Sequence, residues 1–483
     1  MSTAEIFRGV PGLSDLFTVT PQWSMRALMS PAGTSVAGAG TTHRSRSVSP
    51  RNSVVTRSST GDDAPSLLPW LATVTKDAGL ESRVALAQGP YGRSLVALRT
   101  LTPDEVIFNV PFSLVFGEND DASREEGEGS DGDLNDEKDS DLPWSATMAM
   151  RLLESRAGIH RPELKLWIDS LPTFVSTPPL EYTEDALTQC QDRVLIEEAL
   201  SVKAAHEDAV EKLSSRLKNI NCSGDDLRWA TGALHSRCFT FGERGTHIAV
   251  PGVDMCNHVF ENPNAYVRVV SSPEDCQGIS ATSEIAETND DDATKNPQQF
   301  FQLRACEDGV EQGQEITISY GSWPNDPFFL YFGFVPGGNP NDAATLFKDE
   351  EDVAIFFEQM GLGEGIGSGN RSSGDAIQSG NQNENENERK RGMQLTRTGI
   401  DPAILKCCST LGVEDWLVVV SEKCLEILRA FPTTLKEDRV LLSTESISDD
   451  ERTSILYRIS KKEVLLGPVA QARAREAQIK EAQ

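Results

Sequence analysis

The chain has 483 residues, enough for two or three domains and a large core. Its formal net charge of −29 argues against a nucleic-acid binder, which needs basic surface to displace counterions. With 38% hydrophobic and 25% charged residues it is expected to be globular with unstructured stretches, and no run of 18 apolar residues predicts a membrane span. The nine cysteines are scattered without a C-x-x-C pair, so neither a zinc ribbon nor a disulfide scaffold is expected and a reducing compartment is the simpler reading.

Residues 1–64 are expected to be a disordered tail or a transit peptide. Between Asp15 and Asp62 there is no Asp or Glu, while Arg26, Arg44, Arg46, Arg51 and Arg57 lie among Ser and Thr. That composition suits an organelle transit peptide, with a plastid or other organelle as its address. It equally suits an ordinary disordered tail, which leaves cytoplasm or nucleus.

From residue 65 the pattern turns to short strands. Residues 83–88 and 94–98 flank the turn cluster Gly89-Pro90-Tyr91-Gly92, and 106–110 is a third strand stopped by Pro111. Strands of this size suggest small twisted sheets, not a doubly wound domain. Residues 118–141 hold 12 acids against Arg124 and Lys138, and 117–141 is expected to be an acidic disordered loop.

The apolar period then becomes helical over 144–156, with Met148, Ala149, Leu152 and Leu153. A second stripe over 187–217 carries Val194, Leu195, Ala199, Val202, Ala205, Ala209, Val210, Leu213 and Leu217. Together they predict a helical module over about 142–235. Strand-like text returns at 248–251, 266–270, 300–305 and 315–320, with a polar insertion at 271–299. From 341 the chain reads as mainly helical, interrupted by a Gly/Asn/Glu-rich stretch at 361–392 expected to be disordered. Ser448 and Glu451 form a capping box for the last helix, with Ile455, Leu456 and Ile459 following on one face.

The common catalytic motifs are absent: no G-x-x-x-x-G-K-[ST], no G-x-S-x-G and no H-E-x-x-H. The Gly-rich run at 361–369 does not fit G-x-G-x-x-G and follows no strand, so a Rossmann cofactor site is unsupported. Two polar clusters are left: Val250-Pro-Gly-Val-Asp-Met-Cys-Asn-His258, and Ile316-Thr-Ile-Ser-Tyr-Gly321 followed by Phe332-Gly333-Phe334. Asp254, Cys256 and His258 can be read as metal ligands, but three alternating positions without a fourth make a poor zinc site, and no metal is expected. Taken alone, His258 is more often a hydrogen-bonded structural residue, and Asn257 a residue that supports a turn.

Four stretches, in order, resemble the SET-domain protein methyltransferases of the Rubisco-methyltransferase branch. Gly89-Pro-Tyr-Gly-Arg-Ser-Leu-Val-Ala97 is similar to the opening loop and strand. Ser236-Arg237-Cys238-Phe239 is similar to Ser-Arg-x-Phe, and Pro251 to His258 to Pro-x-x-Asp-x-x-Asn-His. Gly313-Gln-Glu-Ile-Thr-Ile-Ser-Tyr-Gly321 is similar to the closing Gly-x-Glu strand with its Tyr. Asn325 and Gly333-Phe334 continue the pattern. Pro143-Trp144 and Trp167-Ile-Asp-Ser-Leu-Pro172 match the helical insert. Asn339-Pro-Asn-Asp342, Thr434-Leu-Lys-Glu-Asp438 and a helix over 452–465 match the C-terminal helical region. The resemblance covers residues 65–483 without the loops.

It implies an α+β architecture: a SET-domain fold of small twisted β-sheets with a pseudoknot and a helical insert, followed by a C-terminal all-helical substrate-binding-type domain. The expected domains are 65–335 and 336–483. The implied function is S-adenosylmethionine-dependent N-methylation of a lysine on a protein, most often a non-histone protein, without nucleic-acid or membrane partners. A protein-histidine methyltransferase and a catalytically inactive SET binding module are the alternatives.

The resemblance assigns Tyr320 as the catalytic residue. It places Gly92, Arg93, Ser236, Arg237, Asp254, Asn257, His258 and Phe334 at the cofactor, with Asp254 holding its own segment in place. The Asn257 amide is implied to bind the cofactor's amino acid and the backbone at His258 to read adenine. Phe332 and Phe334 would line the substrate channel. In the family that segment is often Tyr-Gly-Phe, so Phe332 removes a hydroxyl that could meet the acceptor.

Overall fold

The computed structural model describes residues 67–89, 92–118, 142–242, 245–271, 299–362, 392–410, 412–413, 415–444 and 446–482. The expected tail at 1–64 lies outside these residues. So do nearly all of the expected disordered loops at 117–141, 271–299 and 361–392, and Pro90 and Tyr91 of the turn cluster. Among the described residues no helix is long and apolar enough to cross a membrane.

The chain divides into two compact units. Of the described residues, one holds those within 67–176 and 202–321; the other holds those within 177–201 and 322–482. This cut differs from a boundary after 335, because 177–201 and 322–335 group with the C-terminal region. The reason is a small core in which Tyr182, Leu187, Cys190 and Leu195 pack with Phe329, Leu330 and Tyr457.

Among the described residues the first unit carries ten strands: β1 (Val84–Gly89), β2 (Gly92–Ala97), β3 (Val106–Pro111), β4 (Phe116–Gly117), β5 (Phe239–Phe241), β6 (Thr246–Ala249), β7 (Asn257–His258), β8 (Ala265–Val270), β9 (Phe300–Ala305) and β10 (Thr317–Ile318). They form small sheets: β1-β2, β3-β9-β8, β4-β6-β5, and the pair β7-β10. All pairs are antiparallel except β7-β10, which is parallel, with Thr317 opposite Asn257 and Ile318 opposite His258. The expected strand over 315–320 is thus only two residues long in its pairing with β7. The residues before it turn to β2 instead, where Val96 bridges Glu315 and the Ile316 N–H donates to the Leu95 carbonyl at 2.7 Å.

The helical module supplies the rest of this core. Trp144–Arg156 forms as its period predicts and buries Met148, Ala149, Leu152 and Leu153. Gly224–His235 starts at a capping box between Ser223 and Asp226 and buries Leu227, Ala230 and Leu234. These faces join Phe108, Phe116, Trp167, Val253 and Ile316 in one apolar cluster. Burial of each large apolar side chain contributes about 1.5–3 kcal/mol. Gly252, at φ +84°, sits where a Cβ would meet Leu71 Cδ2 at 2.6 Å, so both backbone conformation and space select glycine.

In the second unit, β11 (Ala343–Phe347) pairs antiparallel with β12 (Met393–Thr396), a two-stranded sheet that the mainly helical reading from 341 missed. The stripe expected to run from 187 is broken between the helices Glu184–Thr188 and Arg193–Lys212, where Gln191 takes φ +55°. Val194, counted in that stripe, is 73% exposed. The last helix, Asp449–Ala482, opens with the expected box: Ser448 N–H donates to Glu451 at 2.9 Å, and Glu451 N–H donates to Ser448 Oγ at 3.2 Å.

That helix buries charge as well as Ile455 and Ile459. Arg458 Nε donates to Asp438 Oδ1 at 3.0 Å, and Lys462 Nζ donates to Asp438 Oδ2 at 2.5 Å and to the Thr433 carbonyl at 2.6 Å. Lys461 Nζ reaches Asp326 Oδ2 at 2.5 Å and Asp342 Oδ1 at 3.0 Å. Burial alone would lower the Lys461 pKa, but Asp326 and Asp342 outweigh it and raise it. Asn325 and Asn339 complete the cluster, with Asn339 Nδ2 donating to Asn325 Oδ1 at 2.8 Å and Asn325 Nδ2 to Asp342 Oδ2 at 3.0 Å.

Candidate functional site

The two polar clusters of the sequence meet in the first unit at the β7-β10 pair. The chain reaches β7 through a 3-10 turn, Val253–Met255, that follows Pro251-Gly252. Asp254 fixes that turn. Its side chain is wholly buried, Oδ1 accepts from the Gly252 N–H at 2.9 Å, and Oδ2 accepts from Trp167 Nε1 at 3.3 Å and Arg237 Nη1 at 3.4 Å. Burial raises the Asp254 pKa, while Arg237, Trp167, the Gly252 N–H and Arg93 act against that rise. With both oxygens engaged by the protein, Asp254 holds its segment.

Arg237 follows the Gly224–His235 helix and reaches the same turn, with Nη1 donating to the Asp254 carbonyl at 2.7 Å. Its Nε is buried and has no hydrogen-bond partner among the described residues. Arg93, on β2, lies in the same field. Burial lowers its pKa most, the Arg237 charge lowers it further, and Asp254 opposes both. Two guanidiniums therefore share one carboxylate already engaged elsewhere, an arrangement that suits an incoming anion such as an amino-acid carboxylate. Ser236, expected at the cofactor with Arg237, donates its hydroxyl to the Ala233 carbonyl at 3.2 Å at the end of its own helix. Gly92 has φ +98°, and a Cβ there would meet nothing within 4 Å, so conformation and not crowding selects glycine in this structure.

Asn257 is half-buried at the start of β7. Its Nδ2 donates to Glu315 Oε1 at 2.7 Å and approaches the Arg93 carbonyl at 3.4 Å. The next residue, His258, accepts the Tyr320 N–H at Nδ1 at 3.0 Å. Burial lowers the His258 pKa to about 4, against a smaller raising effect of the Ile318 backbone, so the imidazole is neutral at pH 7. An acceptor Nδ1 places the remaining ring proton on Nε2.

Tyr320 follows β10. Its hydroxyl donates to the Cys256 carbonyl at 2.7 Å, and its ring lies 5.1 Å from that of His258. Burial raises the Tyr320 pKa above the ordinary phenol value, so the hydroxyl stays protonated and cannot serve as a base near neutral pH. The site therefore holds a fixed phenol, an oriented amide, a neutral imidazole and two arginines, a set made for positioning more than for proton abstraction.

Three of its supports escaped the sequence reading of the site. Glu315 lay inside a quoted motif without a role, yet it receives the Asn257 amide. Asn264 clips the neighbouring strand, donating Nδ2 to the Glu315 carbonyl at 2.8 Å and accepting the Thr317 N–H at 2.8 Å. Trp167 lay in the helical-insert match and supplies the indole N–H to Asp254.

Phe332 and Phe334 belong to the second unit. Phe332 ends the π-helical turn Phe328–Phe332, Gly333 follows at φ +73°, and the two rings lie 6.3 Å apart at a steep angle, both near Phe328. Single π turns of this kind are frequent at functional sites.

The family model for the Rubisco LSMT substrate-binding domain matches residues 368–465. The chain is 23% identical over 398 residues to the ribulose-1,5 bisphosphate carboxylase/oxygenase large subunit N-methyltransferase, chloroplastic, of Nicotiana tabacum, covering 78% of this chain and 75% of the relative. It is 22% identical over 421 residues to the [fructose-bisphosphate aldolase]-lysine N-methyltransferase, chloroplastic, of Arabidopsis thaliana, covering 82% and 80%. The crystal structure of the SET domain of LSMT bound to lysine and AdoHcy superposes with a TM-score of 0.56 at 17% identity, covering 88% of this chain and 94% of that one. The structure of Rubisco LSMT bound to AdoMet gives 0.52 at 18%, covering 87% and 94%. Small sheets with a helical insert, the C-terminal match and the similar chains all agree: the chain resembles the SET-domain proteins of the Rubisco large-subunit methyltransferase-like family and shares their fold.

Proposed function

We propose that the chain is a protein-lysine N-methyltransferase that uses S-adenosylmethionine and acts on a non-histone protein. The observation that carries this reading is the β7-β10 pair, which sets Asn257, His258 and Tyr320 beside Glu315 and the two arginines. The relatives methylate proteins and are chloroplastic, which supports a protein substrate and, with the acid-poor N-terminus, a plastid address. The proposed domain map keeps a SET region to about 335 and a C-terminal substrate-binding region after it, supported by the match over 368–465.

The residues present fit the cofactor. Arg237, with its orphaned Nε, and Arg93 would take its carboxylate, Asn257 its ammonium, and the backbone at His258 its adenine. Bound, the cofactor supplies a methyl group on a sulfonium. The protein's own task is to hold an amine in line and dehydrate it. A lysine amine loses its proton near pH 7.4 at a cost of about 4 kcal/mol, which an apolar channel reduces by disfavouring the ammonium. On the sequence resemblance, Phe332 and Phe334 belong to that channel. Tyr320, held by the Cys256 carbonyl, orients groups at the reacting centre without exchanging a proton, and such alignment supplies much of the acceleration.

The test is transfer of a labelled methyl group by the purified full chain to proteins of a plastid extract, followed by mass spectrometry. Methyl-lysine on a non-histone protein is the expected product. A folded chain that binds cofactor and labels nothing would leave only the binding-module reading, and methyl-histidine would move the acceptor.

A further inference from the structure

The Asn257 amide has one orientation open to it. Its two near neighbours, Glu315 Oε1 at 2.7 Å and the Arg93 carbonyl at 3.4 Å, are both acceptors, so Nδ2 faces them and Oδ1 is the polar atom left over. Glu315 is held firmly for this task. Its carbonyl accepts Asn264 Nδ2 at 2.8 Å, its backbone bridges Val96, and the following Ile316 N–H is bonded to Leu95. Among the described residues, Glu315 Oε2 makes no hydrogen bond. Nearby stand Arg93 and Arg237, which repel a cation. A zwitterionic amino acid entering this site would need one negative group beside its ammonium, and Asp254 is wholly buried with both oxygens in use.

We propose that Glu315 is a positioning residue for the cofactor's ammonium: it turns the Asn257 amide so that Oδ1 accepts from that ammonium, and its carboxylate offsets the two arginines. This rests on the proposed function. It gives Glu315 a duty toward one end of the ligand only, which separates it from a residue that merely braces the strand.

The experiment compares two probes by calorimetry with the full chain. S-adenosylhomocysteine carries the ammonium and carboxylate; 5′-methylthioadenosine carries neither. Glu315→Ala is expected to weaken S-adenosylhomocysteine about tenfold or more, the size of a lost hydrogen bond to a charged group. Glu315→Gln keeps an acceptor for Asn257 but loses the charge, and is expected to weaken it by a smaller factor. Methylthioadenosine affinity is expected to stay within about twofold in both. Equal losses for the two probes would make Glu315 a structural brace, and no loss for either would remove it from the site. Should the Ala variant fail to fold, the Gln variant carries the comparison. A wild-type chain that binds neither probe would overturn the proposed function itself, and this inference with it.

Discussion

The Tyr320 hydroxyl donates to the carbonyl of Cys256, 64 positions earlier, at 2.7 Å. That bond fixes the phenol oxygen. If Tyr320 only packed, Tyr320→Phe would cost about 1 kcal/mol of stability, the worth of one hydrogen bond, and nothing else. The expected outcome is a normal fold, normal cofactor affinity and a single-turnover rate lowered about 100- to 1,000-fold. Melting temperature, affinity and rate are read together, and a normal rate excludes Tyr320 from catalysis.

Asn257→Ala removes the group between Glu315 and the proposed ligand. Cofactor affinity is expected to fall roughly 10- to 150-fold, the range for a lost hydrogen bond to a charged group. Titration of the folded variant checks this, and unchanged affinity would take Asn257 out of the site.

Three histidines of the first unit, His206 and His235 buried and His258 partly so, make stability depend on pH. Burial lowers the pKa of His206 and His258 to about 4 and that of His235 to about 3, with Arg228 adding to the effect at His206, and His206 and His247 adding at His235. Each folded pKa lies below the unfolded value of 6.5, so the unfolded chain takes up protons first. The stabilisation is whole above pH 6.5 and is lost as pH falls toward 4, by at most about 1.4 kcal/mol per pH unit for each group. His258 is half-exposed, so its share is smaller. Urea midpoints should fall from pH 7 to pH 5, and a flat profile would contradict the burial of these rings.

In the second unit, Asp438 is the counter-charge for two buried cations, Arg458 and Lys462. Asp438→Asn leaves both uncompensated and is expected to cost about 3–5 kcal/mol. Chemical denaturation of the full chain measures it. A loss below 1 kcal/mol, about the worth of an exposed ion pair, would mean that water reaches these groups.

Much of the fold was legible because its elements carry a local period. The strand at Phe300–Ala305 and the helix at Trp144–Arg156 follow from alternation and from i, i+3, i+4 spacing. The pairing of β11 with β12 was not, because its strands are short and lie far apart in the chain with the helix Glu350–Gln359 between them, so neither announces its partner. Val194 shows the reverse error: an apolar residue in a helical stripe that ends up exposed. At the site, Asn257, His258 and Tyr320 stood out through motif order. The roles of Glu315, Asn264 and Trp167 did not, since a bond such as Asn257 to Glu315 spans 58 positions and leaves no mark on either neighbourhood.

The parallel pair of β7 and β10 also dates the birth of the site during synthesis. Asn257 meets its partner only after another 58 residues have been made, and closing so long a loop is slow and entropically opposed until both strands are present. A chain whose synthesis stops between residues 257 and 320 has Arg237 and Asn257 but lacks Tyr320. Chains that end before 315 also lack Glu315. Such fragments have no means of orienting the amide, so truncated translation products would neither compete for cofactor nor modify proteins out of turn.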